Sequence, residues 1–302
     1  MTQQAGLPAA VRAAAARYHA ALTGGLALAG SRSLADGPTA GELLLEASFG
    51  AALQPALGEL YRRPIADSLT VMMEQGREEI VRSTLAYYRE QPEIVEPFQS
   101  QLRQYAGRAF DLGGQMGLDE LELEGQFELS DDQIMETIDS HVAQLVDTRR
   151  QSQRSTVVTT AEEIGREVSR RRDDGLTLAD MLPALSAWVL GRTIIRSAII
   201  AETETVRMTR WGMVWAFVGN GIRGVRHECE SDVIDKCRGA ICPPLCGTEY
   251  ELGGVFDPMS GIPAAGLIPL HPRCRCHYSS IQDGWLKPAL IWTGFALGAL
   301  NE

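Results

Sequence analysis

Lysine is almost missing from this chain. Of 28 basic residues in 302, only Lys236 and Lys287 are lysines, and the rest are arginines. With 30 glycines and abundant alanine, that skew reports a GC-rich genome rather than a mechanism. Positive charge is also scarce, and the formal net charge is −11. The deficit lies in residues 1–146, which hold 10 Arg against 21 Asp and Glu, whereas 147–302 hold 18 of each sign. An acidic first half excludes a coat for nucleic acid, because phosphate binding needs a cationic surface. The balanced second half argues against tight, sequence-specific DNA binding and leaves only local arginine contacts with DNA open. Long uncharged runs are absent: the longest, Pro258–Pro272, has 15 residues broken by Pro and Gly. That falls short of the roughly 20 apolar residues a bilayer span needs, so no membrane partner is expected. The stretch Ala20–Gly30 is too weakly apolar and too Gly-broken to make a good export signal. Internal repeats and low-complexity tracts are missing, and no cysteine occurs before position 229.

What is present suits a folded protein. Hydrophobic residues make up 45% and charged residues 22%, enough apolar side chain for a real core. The expected class is α+β and mostly helical: a helical N-terminal half, then a small Cys/Gly/Pro-rich loop-and-strand module. The expected division is an acidic helical region over 1–154, a second domain over 155–284 containing the Cys/His module (219–284), and an apolar tail over 285–302.

Apolar residues recur at three/four spacing from Leu43 to Leu60, one face of a helix that Pro55 should end or kink. Further helical patterns run from Ile65 to about Tyr88 and from Pro97 to about Met116. These Met and aromatic stripes read as core, and residues 1–150 carry no chemistry. Asp111–Asp132 reads as loop or short extended chain. Ser130-x-x-Gln133 then resembles a capping box opening a helix through Ile134, Ile138, Val142 and Val146. Thr159 or Thr160 is the expected N-cap of the next helix, which should stop near Arg170–Arg172 with Gly175 as its C-cap. Thr177-x-x-Asp180 opens another, with Leu178, Met181, Leu182, Leu185, Trp188 and Val189 as its buried face and Pro183 expected in its first turn. A long helix should follow from about Thr193 to Phe217. The run Tyr250–Phe256 could be strand.

All six cysteines fall between 229 and 276: Cys229, Cys237, Cys242, Cys246, Cys274 and Cys276. His227, His271 and His277 lie there too. Cys242-x3-Cys246, a gap of 24 residues, and His271-x2-Cys274-x-Cys276 form two close groups across a loop. Tetrahedral zinc accepts Cys and His in this arrangement, and a small Gly/Pro-rich module gains folding free energy from metal. The candidate ligands are Cys242, Cys246, His271, Cys274 and Cys276, with zinc as a structural ion. A disulfide framework and a set of buried thiols are the other two readings. Cys229 and Cys237 are read either as a pair or as free thiols.

Catalytic signatures are lacking. A zinc deaminase needs His-x-Glu and Pro-Cys-x-x-Cys, whereas His227 and Glu228 are adjacent here and Cys242 precedes its prolines. No His-Glu-x-x-His, Gly-x-Ser-x-Gly or phosphate-binding loop occurs.

Several elements carry a resemblance. Ile200-Ala201-Glu202-Thr203-Glu204-Thr205 follows an apolar-basic helix. Gly221-Ile222, the pair Cys242/Cys246 and the closing Leu270-His271-Pro272-Arg273-Cys274-Arg275-Cys276 come after it. Together these resemble the phage Mu F-like head morphogenesis family of minor capsid proteins, as does Val158–Met181. The resemblance covers about 155–282. It departs from the family in two ways: the usual Cys-x-x-Cys is stretched to Cys-x3-Cys, and the family's Arg between Ala and Thr is Glu202, leaving Glu204 as the matched acid.

The resemblance implies a minor head protein of a tailed phage or prophage. Such a protein would be associated with the portal and with other capsid and scaffold proteins, and would act in head assembly. It would be made in the bacterial host cytoplasm and placed in the head interior or portal region. A reducing cytoplasm favours zinc or thiols over disulfides. Glu204 is expected to pair with Arg273 or Arg275, tying the long helix to the closing motif. Two other functions stay open. Glu202-x-Glu204 has the Glu-x-Glu form of ADP-ribosyltransferases, though it falls in a predicted helix with no upstream partner motif. A zinc-stabilised adaptor of the host is the third.

Overall fold

In the computed structural model of the chain, the described residues are 39–123, 131–149, 155–229, 242–253 and 276–281, with Met259, Ile262, Ile268, Pro269 and Cys274. They are mostly helical, with a small antiparallel sheet. Six helices occur among them: α1 (Ala40–Glu74), α2 (Arg77–Glu90), α3 (Glu96–Glu120), α4 (Asp131–Leu145), α5 (Thr156–Asp173) and α6 (Leu178–Gly219). Three strands follow: β1 (Gly224–Glu228), β2 (Glu249–Glu251) and β3 (His277–Ser280). The expected mostly helical α+β class is what is found. Two compact units divide the described residues, one holding 46–105 and 131–201, the other 39–45, 106–123 and 202 onward. Residues on both sides of position 154 therefore lie in the first unit.

Several local expectations are corrected. Pro55 does not end the first helix, and neither does Pro64: α1 runs 35 residues through both. Its apolar face continues past them in Leu57, Leu60, Tyr61, Ile65 and Leu69, all buried. That burial outweighs one lost backbone hydrogen bond per proline. The break comes instead at Gly76, the extended residue before α2. The N-cap of α5 is Ser155, whose hydroxyl accepts from the Val158 amide at 3.1 Å. Thr159 and Thr160 lie inside the helix, bonding back to the carbonyls of Ser155 and Thr156. The two helices expected after Thr177 are one, α6, of 42 residues. Pro183 is its sixth residue, beyond the first turn. Leu178, Leu182 and Leu190 are about half exposed, so its buried face is the narrower stripe Met181, Leu185 and Val189.

Other signals match. α4 begins at Asp131, right after the expected cap at Ser130, which itself lies outside the described residues. Gly175 takes φ +84° after α5. Its amide and that of Leu176 reach back to the carbonyls of Arg172 and Arg171, the Schellman pattern that needs a residue tolerant of positive φ. Thr177 Oγ1 and Asp180 cap the start of α6.

In the first unit, Glu163 of α5 is the polar centre. Its carboxylate accepts from the Tyr61 hydroxyl, from Arg192 Nε at 3.0 Å and from Arg196 at 3.1 Å. Burial opposes its charge, but the two guanidiniums and the phenol more than offset this and hold the carboxyl below its ordinary range. Tyr61 also meets Trp188 edge-on, with ring centroids 5.4 Å apart. By length and composition alone α6 could cross a membrane, since it holds an 18-residue window of mean hydropathy 1.4, one third of it buried. A core helix of a folded protein passes the same test.

In the second unit, α3 and α6 approach so closely that backbone meets backbone. A Cβ on Gly113 would sit 1.9 Å from the Thr209 carbonyl oxygen, and one on Gly212 would sit 2.1 Å from that of Phe110. Gly117 faces Ala216 one turn on. This explains why Asp111–Glu120 is helix rather than loop: its glycines are the contact surface of a helix, not turn residues. Beyond the helices, the sheet runs in the order β2-β1-β3, all antiparallel. Val225 and Tyr278 join Met213, Val214, Phe217 and Ile222 in one core cluster.

Two outcomes are expected from stability measurements. Gly113→Ala should cost about 2–3 kcal/mol by overpacking, whereas Gly219→Ala, with nothing within 4 Å of the added carbon, should stay within about 0.5 kcal/mol. Thermal melts followed by circular dichroism decide, and equal losses would refute the close crossing. A carboxylate depressed in the folded state stabilises above its unfolded pKa of about 4.3 and loses that contribution as pH falls through the folded value. Glu163→Gln should therefore lower stability at pH 7 by about 2 kcal/mol, discounted because Arg192 reaches solvent, and should flatten the acid limb of a denaturation series below about pH 4.3.

Candidate metal centre

The site grows out of strand alternation. Along β1, Val225 and His227 point inward while Arg226 points out and pairs with Glu249 at 2.8 Å. β3 lies antiparallel beside β1, setting His227 opposite Tyr278 and Glu228 opposite His277. One residue further along, Cys229 leaves β1 where Cys276 enters β3. On the other side of β1, the turn from Cys242 through the short 3-10 helix Pro243–Leu245 folds back. Backbone bonds lash that turn to β1: the His227 amide donates to the Thr248 carbonyl at 2.8 Å, and the Gly247 amide to the His227 carbonyl at 2.7 Å. Gly247 takes φ +76° to make the reversal.

These elements bring cysteine and histidine side chains together in two sets. Cys242, Cys274 and Cys276, all buried, have their sulfurs within 4.8 Å of one another. Cys242 Sγ and Cys274 Sγ are 3.9 Å apart. His227, Cys229 and Cys276 form the second set, within the same limit. Cys276 belongs to both. These clusters could hold a metal ion. Cys229 and Cys246 are joined as a disulfide, with Cα atoms 5.5 Å apart.

The chemistry of the interior favours a cation here. His227 is fully buried, and neither of its ring nitrogens has a hydrogen-bond partner among the described residues. Orphaned buried polar atoms are costly, and a metal ion would use one of these nitrogens. Burial pushes the imidazole down to about 4, so the ring is neutral at pH 7, the form that ligates. Hydrogen bonding with Cys274, then burial, push the Cys276 thiol upward. Neighbouring buried thiols cannot ionise together without a compensating positive charge, which a divalent ion supplies. The donor set therefore fits a soft divalent metal.

The expected ligands fare differently. Cys242, Cys274 and Cys276 come together. Cys246 does not join them, because its sulfur is bonded to Cys229 on the solvent-facing side of the turn. His271 lies outside the described residues, as do Cys237, Arg273 and Arg275 and the tail from Trp285. Glu204 is buried on α6, and both of its carboxylate oxygens accept from Arg207 at 2.7 Å, one turn along the same helix. Glu202 is half-buried on that helix. No family model, curated protein or solved structure matches this chain.

Two residues escaped the sequence reading. His227 was legible only as His227-x-Cys229, a spacing that mirrors Cys274-x-Cys276 on the antiparallel neighbour. Arg210 is the residue that ties α6 to the closing segment. Its Nε donates to the Cys276 carbonyl at 3.3 Å, and its Nη2 lies 3.1 Å from Glu42 Oε1. Arg210 and Glu42 are 2% and 0% exposed. Glu42 also takes part in a capping box, its other oxygen accepting from the Thr39 amide at 2.9 Å while Thr39 Oγ1 accepts from the Glu42 amide.

Arg210→Met should destabilise the protein by about 3–5 kcal/mol, because Glu42 loses its guanidinium inside a dry interior. Adding Glu42→Gln should cost little more, since the pair acts as a unit. Urea unfolding of the two single variants and the double variant forms the check, and additive losses would argue against the coupling.

Proposed function

We propose that this chain is a head-morphogenesis protein of the Mu F-like kind. It would be a portal-associated minor capsid component that serves in assembly of a phage or prophage head and performs no catalysis. What supports the reading is the meeting of two elements that carry the resemblance. The helix bearing Ile200–Thr205 and the closing Cys274-x-Cys276 segment share a core and are joined through Arg210. A part built to dock needs a rigid surface rather than a reactive group, and a small module gains rigidity from a fastened loop. The metal in this reading is a structural zinc. Thiolate with imidazole is the donor set zinc prefers among common divalent ions, and a closed four-ligand site stabilises without activating water. Cys242, Cys274 and Cys276 would be its core ligands. The partners would be the portal and neighbouring capsid or scaffold proteins, met in the bacterial cytoplasm.

The portal encoded at the same locus should capture the full-length protein in a pull-down, and a strong chelator should weaken that capture by at least about tenfold. Zinc measured on the purified protein should be one per chain and should fall on replacing Cys274 and Cys276 by serine. Absence of portal capture with zinc bound would overturn the assembly reading. A protein free of zinc when purified under reducing conditions would overturn the metal.

A further inference from the structure

Cys229 stands in two arrangements that exclude each other. Its sulfur lies within 4.8 Å of a His227 ring nitrogen and of Cys276 Sγ, a ligand's position. The same sulfur is covalently bonded to Cys246. A sulfur in a disulfide carries no thiolate charge and is a poor ligand for zinc. The partner cysteine is exposed, whereas Cys229 is half-buried and Cys242, Cys274 and Cys276 are fully covered. A reductant thus reaches Cys246 first, and the sulfur released beside the cluster is that of Cys229.

We infer that the Cys229–Cys246 disulfide is a redox gate on the metal site: reduction frees Cys229 as a ligand beside His227 and Cys276, and oxidation withdraws it. The inference rests on the metal reading above. The step is a thiol–disulfide exchange with a dithiol as reductant. One thiolate of the dithiol attacks Cys246 Sγ, the Cys229–Cys246 bond breaks, and Cys229 leaves as a thiolate. The second thiol then attacks the mixed disulfide, closing the reductant's own disulfide and releasing Cys246. Two electrons pass to the protein. The dithiol's protons go to Cys246 and, where no metal is bound, to Cys229. With zinc present, Cys229 stays deprotonated on the ion and its proton goes to water. His227, with neither ring nitrogen hydrogen-bonded among the described residues, is the imidazole the ion would meet. Linkage makes the effect reciprocal: zinc must oppose formation of the disulfide by the same factor by which the disulfide weakens zinc.

The test uses the full chain in dithiol buffers of graded oxidation, with zinc alone as the probe, and the Cys229–Cys246 linkage is followed by peptide mapping. Zinc should bind about tenfold or more tightly to the reduced chain, and saturating zinc should displace the ratio of reduced to oxidised protein by the same factor. Cys246→Ser should keep tight zinc binding and lose its sensitivity to oxidant. His227→Gln, checked for helix content by circular dichroism, should shrink the zinc effect and leave the midpoint without zinc unmoved. If His227→Gln fails to fold, Cys246→Ser carries the decision, because Cys246 is exposed. Equal zinc affinity in both redox states overturns the gate and leaves the metal reading standing. No zinc binding in either state overturns both.

Discussion

A buried guanidinium organises the second unit. Arg210 lies in a dry interior where its charge is tolerable only because Glu42 lies 3.1 Å away and the Cys276 carbonyl accepts from Nε. Those two partners come from opposite ends of the described chain: the first turn of α1 and the segment entering β3. A single side chain on α6 therefore sets where both ends go. Lysine could not replace it, since a point charge lacks the planar fork that meets a carboxylate and a carbonyl at once. The arginine bias of the sequence, which reflects composition, is compatible with this role without explaining it.

Close packing completes what the ion pair begins. Gly113 and Gly212 let α3 and α6 touch along their backbones, and Met116, Met213 and Phe217 extend the contact into a core that also takes in Val225 and Tyr278 of the sheet. The sheet is small, with strands of five, three and four residues. So few rungs cannot stand alone; the strands pack on the helices, and the Cys229–Cys246 disulfide links the end of β1 to the turn before β2. The first unit solves its polar problem similarly, by gathering Tyr61, Arg192 and Arg196 around Glu163.

Among the described residues, the cysteine cluster holds a buried imidazole with unmet polarity at both ring nitrogens. Three covered thiols beside an imidazole that has no hydrogen-bond partner among the described residues are an expensive way to build a core of aliphatic size. Carbon side chains would pack as well at no polar cost. A group that enters from outside would remove the expense, and these thiol and imidazole donors could hold a metal ion.

Much of this was legible in residue order, and the division follows from physics. Local interactions show in sequence because they span few residues: the Gly175 stop, the Thr177/Asp180 cap and the apolar stripes of α1 to α5 needed no tertiary knowledge. The mostly helical class was within reach for the same reason, and the gathering of all six cysteines between 229 and 276 pointed to Cys242, Cys274 and Cys276 without showing which sulfurs meet. Tertiary structure alone decided what depends on a partner far along the chain. Pro55 and Pro64 read as breaks until the burial on both sides of them is seen. Gly113 and Gly117 read as loop until α6 is laid against them. His227 and Arg210 carried no periodic signal, because one becomes a candidate ligand only through strand register and the other a tie only through the return of β3. Sequence by itself determined the elements, whose energies are local; the fold determined the site, whose energy is a sum over residues that meet only in space.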